Sequence, residues 1–296
     1  MAGYTRAVRA WLNGALVDPA QAQVSVFDRG FLFGDGVYEV VRFFGGHGVG
    51  ITAHIERLRE SLRLTRISGF DPTQLAVISR LLLEELGTGD ATVYLQITRG
   101  TAPTRTHIPA PGMTPTVFAF VAPTPGIESL AAPSVLRART AVDMRWGYCQ
   151  IKTTSLMGNV LHVLGDDPAC EEAILHRDGF VSEGTSANVF AVVHGVLVTP
   201  PVDAQPPILH GVMRALVLEA AKTEGIAHSV RPLALSELQG APEVFITGSR
   251  RFVGAVSHLD GVARSQPAPG LVAQRVLDSM RRAIESNIVS AVSSAR

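Results

Sequence analysis

The chain has 296 residues, 46% of them hydrophobic, and a formal net charge of +0. That length suggests about two domains of the usual ~100–200 residues, and the charge balance leaves no global field to hold nucleic acid or an acidic membrane surface. No apolar run approaches the ~18 residues that span a bilayer, and Arg6 and Arg9 are not followed by the apolar segment of a secretory signal.

Taken in chain order, residues 8–17 read as a hairpin about an Asn13-Gly14 turn. Residues 37–44 look like a buried strand. From Ala53 to Ile67, apolar Ile55, Leu58, Leu62 and Leu64 alternate with arginines as on an amphipathic helix. Asp71 reads as the N-cap of a second helix, with Pro72 at its first position and an end near Gly87. Val93 to Thr98 and Thr116 to Val121 are strand-like. Pro123, Pro125, Gly126 and Pro133 then mark residues 122–134 as an interdomain linker. The boundaries drawn are a small domain over 1–121 and a second domain over 135–296. In the second, Ala173–His176 and Phe180–Ser182 flank an Asp178-Gly179 turn, and Asn188–Val193 and Val196–Thr199 flank a His194-Gly195 turn. Helices are expected at 207–224 and 271–288. Strands mixed irregularly with helices indicate an α+β fold rather than a doubly wound sheet, and no GxGxxG follows a strand.

Lys152 and Lys222 are the only lysines among 26 basic residues. Arginine supplies the generic positive charge, so a retained lysine invites a chemical reason. Arginine keeps its proton at any working pH and cannot serve as an imine-forming amine, whereas lysine can. Lys152 is expected at a strand end, with Gln150 on the same face and a helix-like segment from Leu156 to Leu164 following. A partly desolvated amine there would be reactive, although a solvated edge lysine has the same local pattern. Lys222, late in a helix, suits the C-terminal dipole.

Other polar residues admit similar pairs of readings. Glu183, at a strand end before Gly184-Thr185-Ser186-Ala187-Asn188, could ion-pair with a protonated ring nitrogen or simply face solvent. Arg57 could bind phosphate through two oxygens or be an ordinary helix arginine. Gly211-Val212 at a helix start and Thr247-Gly248-Ser249 after a strand offer backbone N–H groups to an anion. Arg105 and His107, two apart, share a face in an extended loop and could grip a carboxylate. No HExxH or comparable metal pattern occurs among the nine histidines, and no GxSxG elbow is present. Cys149 and Cys170 form no CxxC motif, so a reduced, cytoplasmic protein is expected.

Together these pieces fall in a recognisable order. The run from Asp28-Arg29-Gly30-Phe31 through Gly34-Asp35-Gly36-Val37-Tyr38-Glu39-Val40-Val41 resembles the N-terminal signature of fold-type IV pyridoxal-phosphate (PLP) enzymes, particularly D-amino-acid aminotransferases. Gln96–Thr101, Glu172–Arg177 and Glu183–Phe190 fit the same family. The resemblance implies a small N-terminal α/β domain, a larger C-terminal domain with a barrel-like sheet, PLP as cofactor and a homodimer. It implies that Lys152 is the Schiff-base lysine and proton carrier, that Glu183 pairs with the pyridine nitrogen, and that Arg57 holds the phosphate with Val212 and Ser249. It places Arg145 near the cofactor's phenolic oxygen. Tyr38, Arg105 and His107 match the trap for the substrate carboxylate, the Arg105 loop coming from the partner subunit.

Met213 and Gly248 stand where the D-amino-acid enzymes carry hydroxyls, and Arg250-Arg251 replace small polar residues beside the phosphate loop. The implied reaction is transamination between a D-amino acid, of the D-alanine or D-glutamate type, and a 2-keto acid. A branched-chain L-aminotransferase, an (R)-amine transaminase and an aminodeoxychorismate lyase are the alternatives within the family, and a non-catalytic binding protein the alternative outside it.

Overall fold

A computed structural model describes residues 10–165, 168–205 and 207–294; Val8, Arg9, Asp166 and Asp167 lie outside the described residues. The chain divides into two compact units, one comprising Met1–Ile127 and Ile151–Leu156, the other Glu128–Gln150 and Met157–Arg296.

The first unit contains β1 (Ala10–Leu12), β2 (Ala15–Val17), α1 (Arg29–Phe33), β3 (Gly36–Phe44), β4 (His47–Gly48), α2 (Ile51–Thr65), α3 (Gln74–Leu86), β5 (Ala91–Thr98) and β6 (Thr116–Pro123). Its antiparallel sheet has the order β2-β1-β6-β5-β3-β4. Because strand side chains alternate between faces, Val37, Val41, Val93, Leu95, Ile97, Val117, Ala119 and Val121 all point one way. They form a core with Leu58 and Leu62 of α2 and Leu75, Ile78 and Leu82 of α3. The other face carries an aromatic row: the Tyr94 ring lies 5.5 Å from Tyr38 and 5.1 Å from Phe120. Helix α3 starts later than the Asp71 cap suggested. Asp71 accepts from the Thr73 backbone and hydroxyl at 3.0 and 2.7 Å, and Gln74 and Leu75 bond back three residues, so the first turn is tighter than α.

The sequence boundaries grouped Lys152 with residues 135–296, yet its segment packs on the first unit. Ile151 joins that core. Thr153 bridges Val37, Tyr38 N donates to Lys152 O at 3.0 Å, and Thr154 N donates to Gly36 O at 3.0 Å. Lys152 also does not end a strand: it lies in irregular chain whose backbone is held by these bonds.

The second unit contains β7 (Ser134–Val142), α4 (Met157–Val163), β8 (Glu172–Arg177), β9 (Phe180–Gly184), β10 (Asn188–Val193), β11 (Val196–Thr199), α5 (Val212–Thr223), β12 (His228–Val230), α6 (Leu235–Gly240), β13 (Glu243–Thr247), β14 (Gly254–Leu259), β15 (Val262–Ala263) and α7 (Leu271–Ser294). Its mixed sheet runs β12-β11-β10-β13-β14-β7-β8-β9, with β15 on β14. Both expected hairpins are present. Asp178-Gly179 and His194-Gly195 have φ of 49° and 79°, and 49° and 80°. Two consecutive positive φ values make a turn whose twist matches the flanking strands. The residues before α5 are irregular rather than helical, and the Leu209 backbone N–H donates to Glu183 Oε2 at 3.1 Å. The chain is α+β throughout. Among the described residues no helix is long and apolar enough to cross a membrane, and no cluster of His, Cys, Asp and Glu could hold a metal ion.

Candidate active site

In the first unit the lysine amine stands over the sheet's aromatic face. Lys152 Nζ is 4.3 Å from the centre of the Tyr38 ring, and Lys152 N donates to Ser61 Oγ of α2 at 3.3 Å. Beside Tyr38, on the opposite face of β3, Glu39 is fully buried. Arg57 grips both its oxygens, Nε to Oε1 at 2.8 Å and Nη2 to Oε2 at 2.7 Å, and His54 Nδ1 shares Oε2 at 2.6 Å. His54 and Arg57 are three apart on α2 and so project from one side. Burial pushes the Glu39 carboxyl up, but the Arg57 charge and the Arg57 and His54 hydrogen bonds outweigh it and hold the group at about 2. Burial lowers the His54 pKa, despite Glu39. Arg57, read from sequence as a phosphate ligand, thus has a carboxylate partner the sequence reading missed. A glutamate on a buried strand face was the available signal, since such a charge requires a partner.

Arg105 and His107 lie on an exposed loop of the same unit. The Arg105 guanidinium is 4.9 Å from the Phe33 ring centre and the His107 ring 5.4 Å. Cation and imidazole therefore flank one ring.

The second unit assembles around Glu183 on β9, 4% exposed. Its Oε1 accepts from Arg145 Nη1 at 3.0 Å, and its Oε2 from Asn188 Nδ2 at 3.3 Å and Leu209 N at 3.1 Å. Burial raises the Glu183 pKa although Arg145 opposes it. Arg145 is itself clamped by Asp143, Nε to Oδ1 and Nη2 to Oδ2, both at 2.9 Å. The turn after Glu183 is fixed from behind by Glu172, which accepts from Thr185 N at 2.8 Å, Ala173 N at 3.1 Å and the Thr185 hydroxyl. Asp143 and Glu172 are polar neighbours to which the sequence reading gave no role.

Asn188 pairs with Thr247 across β10 and β13, which brings the Gly248-Ser249 loop beside the Glu183 turn. Gly248 lies where a Cβ would come 3.3 Å from Ser186 O. Gly211, the N-cap of α5, would put a Cβ 1.8 Å from Asn188 Oδ1, so any larger residue would have to displace the Asn188 side chain. No side chain caps α5, leaving the helix start, with Val212 and Met213, available to an anion. Met213 is buried and brings no hydroxyl. Arg251 pairs with Glu171 at 2.7 Å; Arg250 is exposed. Lys222 is exposed in the last turn of α5.

The chain matches the family Amino-transferase class IV over residues 36–259. It is 36% identical over 287 residues to a D-alanine aminotransferase of Bacillus licheniformis, covering 96% of this chain and 100% of that one. It is 31% identical over 288 residues to the D-alanine aminotransferase of Staphylococcus haemolyticus, covering 94% and 98%. The fold matches a branched-chain aminotransferase of Thermoproteus uzoniensis solved with norvaline, with a TM-score of 0.84 at 22% identity over 95% of each chain. It also matches a hypothetical aminotransferase of Mycobacterium tuberculosis in its PLP-bound form, with a TM-score of 0.77 at 23% identity over 93% of this chain and 99% of that one.

Proposed function

This chain belongs to the class IV aminotransferases, and we propose that it uses PLP to transfer the amino group of a D-amino acid, of the D-alanine or D-glutamate type, to a 2-keto acid. One observation carries the choice of substrate: Arg105 and His107 stand together against the Phe33 ring, a paired donor set suited to an α-carboxylate. Full-length identity to D-alanine aminotransferases supports it.

The residues present fit the cofactor. Lys152 is an amine over an aromatic wall. Glu183 is a buried carboxyl whose pKa burial raises, and a cationic ring nitrogen beside it would favour its ionised form. The start of α5, Gly248 and Ser249 supply N–H and hydroxyl donors for a phosphate, and Arg57 is a cation of the kind that binds one. When bound, PLP supplies an electron-withdrawing ring that accepts the electrons released at the substrate α-carbon. Lys152 takes the α-proton as general base and returns it as general acid. Glu183 holds the ring nitrogen's proton, and Arg145 holds Glu183 in place. Arg105, His107 and Tyr38 fix the carboxylate on one side, and with Lys152 on one face this decides the hand of the amino acid.

We also infer a homodimer. The stretch Val142–Tyr148 exposes Val142, Met144, Trp146 and Tyr148. Helix α4 exposes Met157, Val160, Leu161 and Val163 and buries none of its residues. So much exposed apolar surface suits an interface. The Arg105 loop then serves the partner subunit's substrate. The free Cys149 and Cys170 suit a reducing cytoplasm.

The test is a half-reaction panel in which the purified protein with PLP is mixed with single D- and L-amino acids and the cofactor's absorbance is followed. Conversion by D-alanine or D-glutamate faster than by any L-amino acid is expected. Faster conversion by L-leucine or L-valine would replace the reading with that of a branched-chain enzyme.

A further inference from the structure

We propose that Arg29, with Phe33 and Asp35, is the positioning device of the carboxylate-binding loop, and so sets substrate affinity without touching substrate; this rests on the reading of Arg105 and His107 above. Arg29 is 4% exposed, and all three of its guanidinium nitrogens are used. Nε donates to Asp35 Oδ2 at 2.7 Å, Nη1 to Thr106 O at 2.6 Å and Nη2 to His107 O at 3.1 Å. Carbonyls of an exposed loop are ordinarily left to water. Here two consecutive ones are taken by a buried cation, in the very stretch that carries Arg105 and His107.

The side chains of that stretch are held by the same short helix. Phe33 follows Arg29 by one turn of α1 and lies on the same side. Its ring centre is 4.9 Å from the Arg29 guanidinium, 4.9 Å from that of Arg105 and 5.4 Å from the His107 ring. One ring thus spaces the anchoring arginine from the two proposed substrate donors.

The helix is fixed in turn. Asp28 is fully buried and caps α1, accepting from Gly30 N at 2.8 Å and from Thr98 Oγ1 at 3.0 Å. Gly30 sits so close to β5 that a Cβ would come 2.3 Å from Thr98 Cγ2. Asp35 is shared with Arg99, through Nε and Nη2, both at 2.8 Å. Arg99 also donates to Thr65 O at 2.8 Å and Arg66 O at 2.9 Å, at the end of α2. A continuous polar chain therefore runs from α2 through Arg99, Asp35 and Arg29 to the loop. Its consequence is preorganisation: the loop's ordering entropy is met at folding rather than at each substrate encounter.

The experiment uses the holoenzyme and its best D-amino acid. R29K keeps a charge for Asp35, but a single ammonium cannot reproduce the fork that reaches both carbonyls. F33L leaves Arg29 intact and removes the shared ring, which keeps the test available if R29K does not fold. Each should raise KM about tenfold, the scale of a lost charge-assisted contact, with kcat within about twofold. In a background lacking both donors, R105A with H107A, neither should raise KM further, because both act through that pair. A KM within about twofold of wild type for both variants, while R105A is impaired, would overturn the positioning role alone. So would effects that multiply with the R105A and H107A pair. An unchanged KM in R105A would overturn the carboxylate reading and the proposal with it.

Discussion

Replacing Glu183 by glutamine isolates its charge from its shape. The variant keeps the size of the side chain and an oxygen for Asn188 and Leu209, now 3.3 and 3.1 Å from Oε2. What it loses is the negative charge proposed to pair with the cofactor's ring nitrogen. A charge-assisted hydrogen bond is worth about 1.5–3 kcal/mol. At about 1.4 kcal/mol per tenfold in rate, kcat should fall roughly 10- to 100-fold. Stability should change much less, because Arg145 keeps two bonds to Asp143, each 2.9 Å. Stripping a buried cation of its only partner would cost about 3–5 kcal/mol; here the cation is not stripped. The assay is steady-state turnover at full cofactor occupancy, with occupancy read by absorbance and stability by thermal melting. Turnover within twofold of wild type would refute the role of Glu183. So would a rate loss that merely follows a large drop in Tm.

Lys152→Ala should abolish both covalent cofactor retention and transamination, whereas Lys222→Ala, at an exposed helix end, should leave both unchanged; mass spectrometry after borohydride treatment and a turnover assay decide it. Arg57→Ala should weaken PLP retention through dialysis and also destabilise the fold, since it leaves Glu39 buried with His54 alone; retention and Tm equal to wild type would count against it. Glu39→Gln should be less stable than wild type by about 3 kcal/mol at neutral pH. The Glu39 pKa is depressed to about 2 from an ordinary 4.5, so its contribution is complete above the higher value and disappears as pH falls toward the lower. Urea titrations should show the gap closing across that window, and a gap independent of pH would overturn the pairing argument. Arg105→Ala should raise KM for D-amino acids roughly 10- to 100-fold with a smaller effect on kcat; an unchanged KM removes the carboxylate role.

Turn chemistry made the second unit's hairpins legible. Asp178-Gly179 and His194-Gly195 need two positive φ values in succession, and few residue pairs accept them at low cost. The strand-like runs at 37–44, 93–98 and 116–121 likewise correspond to β3, β5 and β6. What local pattern could not reveal was long-range ownership. Ile151 and Lys152 follow β7 in sequence, so they were grouped with it. The backbone of Lys152 bonds Tyr38 and Ser61 and that of Thr154 bonds Gly36, more than ninety residues away, and no local propensity encodes that choice. The start of α5 was misplaced for a related reason. Leu209 looks helical by composition, yet it lies in irregular chain that bonds Glu183 and Asn188.

The site was legible in its actors and not in their partners. Lys152 stood out because the chain has so little lysine, and the acidic partners explain why. Asp35, Glu39, Asp143 and Glu183 are each answered by at least one arginine: Arg29 and Arg99, Arg57, Arg145 and Arg177, and Arg145 again. Several of these contacts use two guanidinium nitrogens on one carboxylate, a geometry an ammonium cannot copy. Arginine therefore does the structural pairing throughout both units, and substituting lysine there would loosen it. The converse holds at one position. Removing a proton from an arginine is out of reach at working pH, so the proton carrier proposed over Tyr38 has to be a lysine. The composition that singled out Lys152 and the buried arginine–carboxylate pairs are thus two consequences of one chemical difference between the basic side chains.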